Sequence, residues 1–391
     1  MRIAELELTN FRGYDQAKIA FGPGLNLFYG DNAQGKTNII EAVYVCATGK
    51  SFRTAHDREL IRRGDDQREA DGFRVQTRVI SRSGDLCLTV EYEPKAGKVI
   101  SINGFPIAKR SELLGYLTVV IFTPEDLSIV KGGPSHRRRF IDFELAQINP
   151  AFRYNLIDYG KVLRQRNMLL RQMATADNFS DDLKEVFDKQ LAEIAAKLVV
   201  KRVFALQQIA RSAQELHRSI TDGRESLALE YVASYPLYRN KRSWLLDGTI
   251  NLDEEEVRES LLNYLKSKTK EEIKRGISLY GPHRDDLNLL INANEIRTFG
   301  SQGQQRTATL ALKLAELEYM HQETGEYPVL LLDDVFSELD AFRRKFLLDT
   351  VKEQVQILVT ATETRYFDPT HLAGARVFEV RAGRITERAQ H

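Results

Sequence analysis

Residues 30–37, which read GDNAQGKT, constrain the fold of this chain more than any other stretch. They fit the nucleotide-binding pattern G-x-x-x-x-G-K-[ST] at every fixed position. The apolar residues 24–29 before the pattern predict a short strand, and residues 37–45 after it predict a helix. A strand, a glycine-rich loop and a helix in this order are the setting in which the pattern binds phosphate. The alternative is a glycine-rich turn that matches by chance.

Each residue type in this loop has a physical role. The glycines let the backbone turn tightly so that its N–H groups face a polyphosphate, and the helix N-terminus adds partial positive charge. Lys36 is expected to reach the terminal phosphates, and the Thr37 hydroxyl is expected to ligate Mg²⁺. The predicted nucleotide-binding residues of the loop are Gly30, Asp31, Asn32, Ala33, Gln34, Gly35, Lys36 and Thr37.

Length and composition limit the class of protein. A chain of 391 residues is expected to form about two domains. The formal net charge is +1, so any contact with nucleic acid has to come from a local basic patch. The two cysteines, Cys46 and Cys87, form no CxxC motif, which is typical of a reducing cytosol. The charged N-terminus and the lack of a long apolar run predict a cytoplasmic protein without a membrane domain.

The pattern before and after the loop predicts strands. Apolar and polar residues alternate over residues 3–8 and again over 19–21, on either side of a turn at Gly13. This pattern predicts an antiparallel pair of strands. Arg12 at this turn is either a nucleotide contact or a solvated turn residue, and both readings stay open. Residues 73–102 predict a three-stranded meander, and residues 117–122 predict a buried strand.

From residue 131 to about residue 265 the pattern becomes helical. Apolar residues recur at steps of three and four between Leu183 and Leu216, which predicts one amphipathic helix of about 35 residues, or roughly 50 Å. We therefore predict that residues 1–130 and 275–391 form one unit, which carries the phosphate loop, and that a helical arm is inserted at 131–274. An arm of this length is far too short for an extended coiled-coil rod.

The start of the arm is basic. Residues 131–172 contain nine basic side chains and three acidic ones. Such a stretch is either a surface that binds the phosphates of DNA or a solvated helix face with internal ion pairs. The candidate DNA-binding residues are Arg137, Arg138, Arg139, Arg164 and Arg166.

Two carboxylates follow the apolar run 329–332. A carboxylate at the carboxyl end of a strand beside a phosphate loop holds Mg²⁺ directly or through water, and Asp333 fits this role. Asp334 is then placed to orient or deprotonate the attacking water. Asp334 therefore joins Lys36 in the predicted catalytic set, whereas Asp333 and Thr37 form the predicted metal site.

A second anion site is predicted at residues 301–304, which read SQGQ and open a helix that runs to about residue 322. A hydroxyl, a glycine N–H and the dipole of a helix N-terminus attract an anion together. One phosphate loop and one such site in the same chain suggest that two subunits complete each nucleotide site. The residues of this second site are Ser301, Gly303 and Gln304.

These motifs together resemble the ABC-type ATPase heads of the SMC class, and within it the RecF family of bacterial recombination mediators. The likeness to the SMC-class heads is carried by the phosphate loop, the SQGQ segment, the strand end LDD at 332–334 and the loop SELD at 337–340. The likeness to the RecF family is carried by residues 10–12 (NFR), 35–38 (GKTN), 137–142 (RRRFID), 166–167 (RN), 281–287 (GPHRDDL) and 301–306 (SQGQQR). It implies an α/β fold: an ABC-type P-loop head with an antiparallel meander and an inserted helical arm.

The resemblance also implies a function. The nucleotide would be ATP with Mg²⁺, and Ser301 and Gly303 of one subunit would contact in trans the γ-phosphate held at Lys36 of the other. Ser301 would thereby complete the catalytic set of Lys36 and Asp334 in trans. The ATP-dependent homodimer would bind duplex DNA and junctions of single- and double-stranded DNA. It would act in DNA repair with RecR and RecO, so that RecA loads at single-strand gaps.

Some features depart from the general ABC pattern or have more than one interpretation. Asp334 stands where many ABC heads have glutamate, so we expect slow hydrolysis. Thr360 or Thr362 stands where ABC transporters place a phosphate-sensing histidine, and no glutamine-loop equivalent is clear near residues 122–126. His283 and the adjacent acidic pair have no metal-ligand spacing, which favours structural contacts.

Two other functions compete with this reading. One is a chromosome-structuring SMC-like protein, which the short arm disfavours. The other is a P-loop enzyme such as a small-molecule kinase or a nuclease-associated ATPase, for which the sequence offers no clear substrate pocket or nuclease metal cluster.

Overall fold

The computed structural model describes residues 1–64, 70–175, 181–351 and 354–388. The chain divides into two compact units. The first is discontinuous and consists of Met1–Asp126 and Glu316–His391, whereas the second is Leu127–Ala315. Within the described ranges, no helix combines the length and apolar composition that a membrane span requires.

The strands of the described residues are numbered along the chain. They are β1 Arg2–Phe11, β2 Tyr14–Ala20, β3 Leu25–Tyr29, β4 Phe73–Ser81, β5 Gly84–Glu93, β6 Gly97–Ile102, β7 Phe105–Pro106, β8 Val119–Phe122, β9 Leu227–Val232, β10 Ser243–Leu245, β11 Asp286–Ile291, β12 Asn294–Glu295, β13 Val329–Leu332, β14 Ile357–Ala361, β15 Arg376–Arg381 and β16 Arg384–Arg388.

The α-helices are numbered in the same way. They are α1 Lys36–Thr48, α2 Leu127–Lys131, α3 Pro134–Ile148, α4 Pro150–Thr175, α5 Asp181–Ile220, α6 Glu254–Ser267, α7 Thr269–Arg275, α8 Ile296–Phe299, α9 Gln302–Thr324, α10 Val335–Glu338, α11 Ala341–Thr350 and α12 Pro369–Leu372.

The first unit contains two six-stranded sheets. One is antiparallel, in the order β2-β1-β4-β5-β6-β7, and includes the predicted meander. The other has the order β16-β15-β3-β14-β13-β8, and its strands from β15 to β8 run parallel. Helix α1 contacts strands of both sheets. It is apolar nearly all round and almost fully buried, as expected of a helix covered on every side.

The central strands of the parallel sheet are apolar because they are buried. All four residues of β13 and all five of β14 are buried, so the apolar runs have no polar face. Helices cover both faces of such sheets, which removes the alternation seen in half-exposed strands. The predicted buried strand near residues 117–122 is confirmed as β8, which pairs in parallel with β13.

The second unit consists of helices and one small sheet. Helix α5 is 40 residues long, or about 60 Å, and packs against α4 and α6. The helical prediction for residues 131–265 was wrong at β9 and β10, which pair with β11 in the sheet β10-β9-β11-β12. Buried and partly exposed residues alternate along β9, but its sequence, LALEYV, contains one charged residue and therefore shows no clear alternation of polar and apolar residues.

The division between the units differs from the predicted one at its second boundary. Because β9 pairs with β11 over six residues, the segment after residue 275 joins the second unit. The chain returns to the first unit at Glu316, which lies inside helix α9. Ser301 therefore belongs to the inserted unit and not to the unit that carries the phosphate loop.

Candidate functional site

The phosphate loop leaves the carboxyl end of β3, between the neighbouring strands β14 and β15 of the parallel sheet. Gly30 has a φ of 150°, and a Cβ at this position would lie 2.3 Å from the carbonyl oxygen of Val380. Only glycine fits this close approach of two backbones. The loop conformation that the sequence pattern predicts thus depends on a neighbouring strand, β15.

Three further contacts support the loop from outside. The Tyr14 hydroxyl donates a hydrogen bond to the Gly35 carbonyl at 3.0 Å. The side-chain oxygen of Gln34 accepts from the amide of Ala382, and the Gly383 amide donates to the Gln34 carbonyl. Because Tyr14 is fully buried, this support is rigid. Sequence reasoning missed Tyr14, although its place directly after the Gly13 turn is a signal.

Lys36 lies against its own loop. Its Nζ donates to the carbonyl oxygens of Gly30 at 2.6 Å and Asp31 at 2.7 Å. Burial lowers the pKa of Lys36, and the carboxylates of Asp334, Asp31 and Asp333 oppose this effect. A bound phosphate would replace these two carbonyl acceptors and would restore full charge compensation to the ammonium group.

Three adjacent parallel strands bring the predicted metal ligands together. The Thr37 hydroxyl donates to Asp333 Oδ1 at 2.8 Å, and the Thr360 hydroxyl donates to the same oxygen at 2.9 Å. Burial raises the pKa of Asp333, whereas the hydrogen bonds from Thr37 and Thr360 lower it. Hydroxyl and carboxylate oxygens suit Mg²⁺, which also keeps waters and phosphate oxygens as ligands. The described residues contain no group of three or more His, Cys, Asp or Glu side chains able to hold a metal, so Thr37 and Asp333 would rely on the nucleotide for further ligands.

Asp334 is held by its backbone. Its φ of 52° is left-handed, which is uncommon for a residue other than glycine and concentrates at functional sites. Its amide donates to the Thr360 hydroxyl at 2.9 Å. Thr360 therefore links the backbone of Asp334 to the carboxylate of Asp333. Of the two threonines at the position of the phosphate-sensing histidine, Thr360 is the one that the structure brings to both aspartates.

Arg12 is not a solvated turn residue. Its Nε and Nη2 donate to both carboxylate oxygens of Glu41 at 2.9 and 2.7 Å, and its Nη1 donates to the carbonyl of Glu59 at 2.8 Å. The Glu41 side chain is fully buried on helix α1 and also accepts from the Ser51 hydroxyl. Sequence reasoning missed Glu41, since a single acidic residue inside an apolar helix is its only signal.

An open cavity of about 580 Å³ lies directly beside the phosphate loop. Its lining includes Arg12, Gly13, Arg53 and Ile61, together with Asn38, the residue that follows Thr37. This volume is in the range of small-molecule sites. Three guanidinium groups, an amide, an apolar side chain and the carboxylate of Glu59 line the cavity, so its charge balance is positive and suits a nucleoside with phosphates attached.

The Ser301 segment lies in the second unit. The Ser301 hydroxyl accepts from the amide of Gln304 at 3.2 Å, and the Gln304 side chain accepts from the Ser301 amide at 2.8 Å. This reciprocal pair is a capping box at the start of α9. The Gln304 side chain also donates to Glu225 at 2.9 Å. Ser301 itself is exposed, and Phe299 beside it is 74% exposed.

The candidate DNA-binding arginines separate into two groups. Arg137 and Arg166 are buried. Asp286 compensates the charge of Arg137, and Asp188 and Glu272 compensate the charge of Arg166. Neither is available to a phosphate, so both are removed from the DNA-binding hypothesis. Arg138 is partly exposed and donates to the Asp285 carbonyl, while Arg139 and Arg164 are exposed. The hypothesis is thereby reduced to Arg138, Arg139 and Arg164.

The segment around His283 forms structural contacts. His283 Nδ1 lies 2.6 Å from the Tyr159 hydroxyl, and burial lowers the pKa of His283 to about 4. The Asp285 carboxylate accepts from the Tyr231 hydroxyl and the Ser234 amide. Because each polar group here serves an internal contact, no metal-ligand set remains.

Comparisons with known proteins agree with this architecture. The profile of the family described as "RecF/RecN/SMC N terminal domain" matches residues 2–386. The DNA replication and repair protein RecF of Halothermothrix orenii is 44% identical over 386 residues, which cover 99% of each chain. The chain belongs to the RecF family. The RecF protein of Bacillus subtilis is 41% identical over 387 residues, which cover 99% of this chain and 100% of that protein.

Solved structures confirm the predicted fold class. A structure of the recombination mediator protein RecF-ATP in the RecFOR pathway has a TM-score of 0.86 and 34% identity, and the match covers 99% of this chain and 97% of that one. An Smc head bound to the C-winged helix domain of ScpA has a TM-score of 0.56 at 18% identity, with 100% and 98% covered. The second likeness shows the shared ABC-type head fold. The RecF family consists of DNA replication and repair proteins, and the sequence-based assignment to it is confirmed.

Proposed function

We propose that the chain binds Mg-ATP at the carboxyl ends of β3, β14 and β13. The observation that carries this proposal is the contact between Thr37 and Asp333, which lie 296 positions apart in the sequence. The amides of residues 30–37 and the Lys36 ammonium would bind the phosphates. The adjacent cavity would hold the nucleoside, with Arg12 fixed by Glu41 beside it.

Hydrolysis follows from the same residues. Bound Mg²⁺, held by Thr37 and Asp333, would neutralise charge on the phosphate oxygens. Asp334 would orient the attacking water and accept its proton. Because an aspartate side chain is one methylene shorter than the glutamate of many ABC heads, we propose a slow, DNA-stimulated ATPase without chemistry on DNA.

We further propose that two copies complete each site. Ser301, Gly303 and Gln304 of one subunit would contact the γ-phosphate bound at Lys36 of the other. The exposure of Ser301 at the start of a 23-residue helix supports this proposal, because a helix N-terminus stabilises an anion. ATP would then act as a timer: binding closes the dimer and hydrolysis opens it.

The cellular role follows from family membership. We propose that the ATP-bound dimer binds DNA at single-strand gaps or at junctions of single- and double-stranded DNA in the cytoplasm. It would support the loading of RecA with RecR and RecO. Arg138, Arg139 and Arg164 are candidate contacts, because at least part of each lies at the surface.

Light scattering with Mg²⁺ and ATP, ADP or no nucleotide tests the dimer. We expect the mass to double with ATP alone, and Ser301→Arg to abolish the doubling without abolishing nucleotide binding. Ser219→Arg adds the same charge at an exposed serine of the same unit and should dimerise normally. An ATP-dependent dimer of Ser301→Arg would refute completion in trans. A mass that never responds to ATP would favour the single-subunit P-loop alternatives.

The nucleotide site is tested separately. Lys36→Arg is expected to retain part of the ATP binding and to impair hydrolysis, because the larger guanidinium group cannot take the position of the ammonium. Equilibrium binding of a fluorescent ATP analogue and phosphate release measure the two effects. Unchanged hydrolysis in Lys36→Arg would contradict the assignment of the loop.

A further inference from the structure

A tight hairpin in the second unit presents basic residues on a rigid turn. Arg239 and Asn240 form the turn with φ values of 48° and 56°, and the Lys241 amide donates to the Tyr238 carbonyl at 2.8 Å. Two residues of positive φ match the twist of a two-residue hairpin, so the turn is fixed. Arg239, Lys241 and Arg242 are all exposed.

This hairpin is anchored to an aromatic cluster. Nη2 of Arg242 donates to the Tyr264 hydroxyl at 2.6 Å, and its guanidinium lies 5.7 Å from the centre of that ring. The Lys268 ammonium is also 5.7 Å from the same ring. Tyr280 packs edge-on against Tyr264 with the ring centres 4.8 Å apart. The hairpin and the junction of α6 and α7 thus place cations around one tyrosine.

We call Arg239, Lys241, Arg242 and Lys268 the hairpin surface. Within the part of the chain that the structure describes, none of the four is in an ion pair. Some other cations of this unit are paired: the exposed Lys189 with Glu185, and the partly exposed Lys197 and Arg258 with Glu193 and Glu255.

The two acidic residues that follow Lys268 in the sequence are already engaged. Glu271 accepts from the Tyr280 hydroxyl at 3.1 Å and pairs with Arg275 at 3.5 Å. Glu272 is buried and pairs with Arg166. Residues 238–242 and 264–275 contain eight basic and two acidic side chains, although the whole chain has a net charge of only +1. The positive charge of the hairpin surface is therefore local and uncompensated.

We propose that the hairpin surface binds the phosphodiester backbone of DNA, separately from Arg138, Arg139 and Arg164. Arginine forks and lysine ammonium groups on a convex turn suit a continuous polyanion, which needs no enclosed pocket. The Tyr264 ring restrains Arg242 and Lys268, so less side-chain entropy is lost on binding. This inference rests on the proposed DNA binding and names a surface for it.

The double variant Arg239→Gln/Lys241→Gln tests the proposal, because both residues are exposed and outside the nucleotide site. The matched control is Lys189→Gln/Lys197→Gln, which removes one exposed and one partly exposed cation, both of them ion-paired on α5 of the same unit. Fluorescence anisotropy of the full chain with a labelled 30-base-pair duplex and a labelled single-strand/duplex junction, at 50–300 mM salt with Mg-ATP, gives affinity and its salt slope.

We expect the hairpin variant to lower the slope of log K against log salt by about two, since each lost phosphate contact removes roughly 0.9. At about 0.1 M salt, this corresponds to a loss of affinity of up to roughly 60-fold. The control should keep the wild-type slope, and both variants should bind a fluorescent ATP analogue as the wild type does.

The outcomes separate the two proposals. If wild type and both variants bind DNA with equal affinity and slope, the hairpin inference is wrong while DNA binding stands. An equal loss in the control also overturns it, because the effect would then come from total charge. No DNA binding by the wild type overturns the proposed function. If the hairpin variant binds DNA normally but loses binding to labelled poly-glutamate, the surface serves an acidic protein, and the DNA assignment is wrong.

Discussion

Arg166 and Arg164 lie two positions apart on helix α4 and are expected to respond oppositely to the same substitution. Arg166 is fully buried, and its three nitrogens donate to Asp188 at 2.7 Å, Ser278 at 2.7 Å and Glu272 at 2.6 Å. Arg164 is exposed. Replacement of either arginine by methionine removes one positive charge, so total charge cannot explain a difference between the variants.

The magnitude follows from the partners that remain. In Arg166→Met, Asp188 keeps its contact with Lys184. Among the residues that the structure describes, the fully buried carboxylate of Glu272 keeps a hydrogen bond from the Leu279 amide alone. Removal of one partner of a buried ion pair costs about 3–5 kcal/mol. With an m-value of about 3 kcal/mol/M, the urea midpoint should fall by roughly 1 M. Arg164→Met should stay within about 0.5 kcal/mol of wild type.

Urea unfolding monitored by circular dichroism measures stability, and anisotropy with a labelled duplex in the absence of urea measures DNA binding. Arg164→Met should weaken DNA binding and leave the midpoint unchanged. Addition of Glu272→Gln to Arg166→Met should recover part of the lost stability, because it removes the uncompensated carboxylate. If Arg166→Met kept the wild-type midpoint but lost DNA binding, the assignment of Arg166 to the interior would be refuted.

Three further variants test the site and the packing around it. Glu41→Gln should raise the Kd for Mg-ATP roughly tenfold, since Arg12 loses its charged partner. The control is Glu323→Gln, which removes an exposed carboxylate of the same unit outside the cavity. An unchanged Kd of Glu41→Gln in a titration would contradict the role of Glu41. Asp333→Asn should raise the urea midpoint of the nucleotide-free protein at pH 7. Burial raises the pKa of Asp333, so its ionised form costs stability above that pKa. The same variant should lose the stabilisation by Mg-ATP, and a lower midpoint without nucleotide would count against this reasoning. Burial lowers the pKa of His283 to about 4, so the free energy of unfolding should fall as pH decreases from about 6.5 to 4. His283→Gln should flatten this part of the stability profile in urea unfolding at each pH. The same slope in wild type and variant would mean that His283 titrates normally.

Much of the nucleotide site could be predicted because its signals are local. The glycines, Lys36 and Thr37 lie within eight consecutive residues, and a strand–loop–helix unit needs only local backbone geometry to form. The strands of the meander and β13 were predictable for the same reason, since hydrophobic periodicity is read over a few residues. The left-handed backbone of Asp334 and its link to Thr360 had no such local signal.

The roles of the arginines show the limit of local signals. In the sequence, Arg137, Arg138, Arg139, Arg164 and Arg166 all belong to one basic stretch. The structure buries Arg137 and Arg166, because their carboxylate partners come from residues 22 to 149 positions away. Burial and charge compensation depend on which elements pack together, and that is not encoded in the neighbours of a residue along the chain.

The sequence by itself determined the phosphate loop, the acidic strand end, the capping motif at Ser301 and the family, because each depends on residue types at short, fixed spacing. Only the tertiary structure decided that Arg12 is fixed by Glu41, that Thr360 joins both aspartates, and that Ser301 belongs to the inserted unit. The contacts of Thr360 arise because parallel strands end at one edge of a sheet. The place of Ser301 follows from the pairing of distant segments in a second sheet. The physical reason is that such contacts form between residues that are remote in the chain and meet only when the sheets assemble.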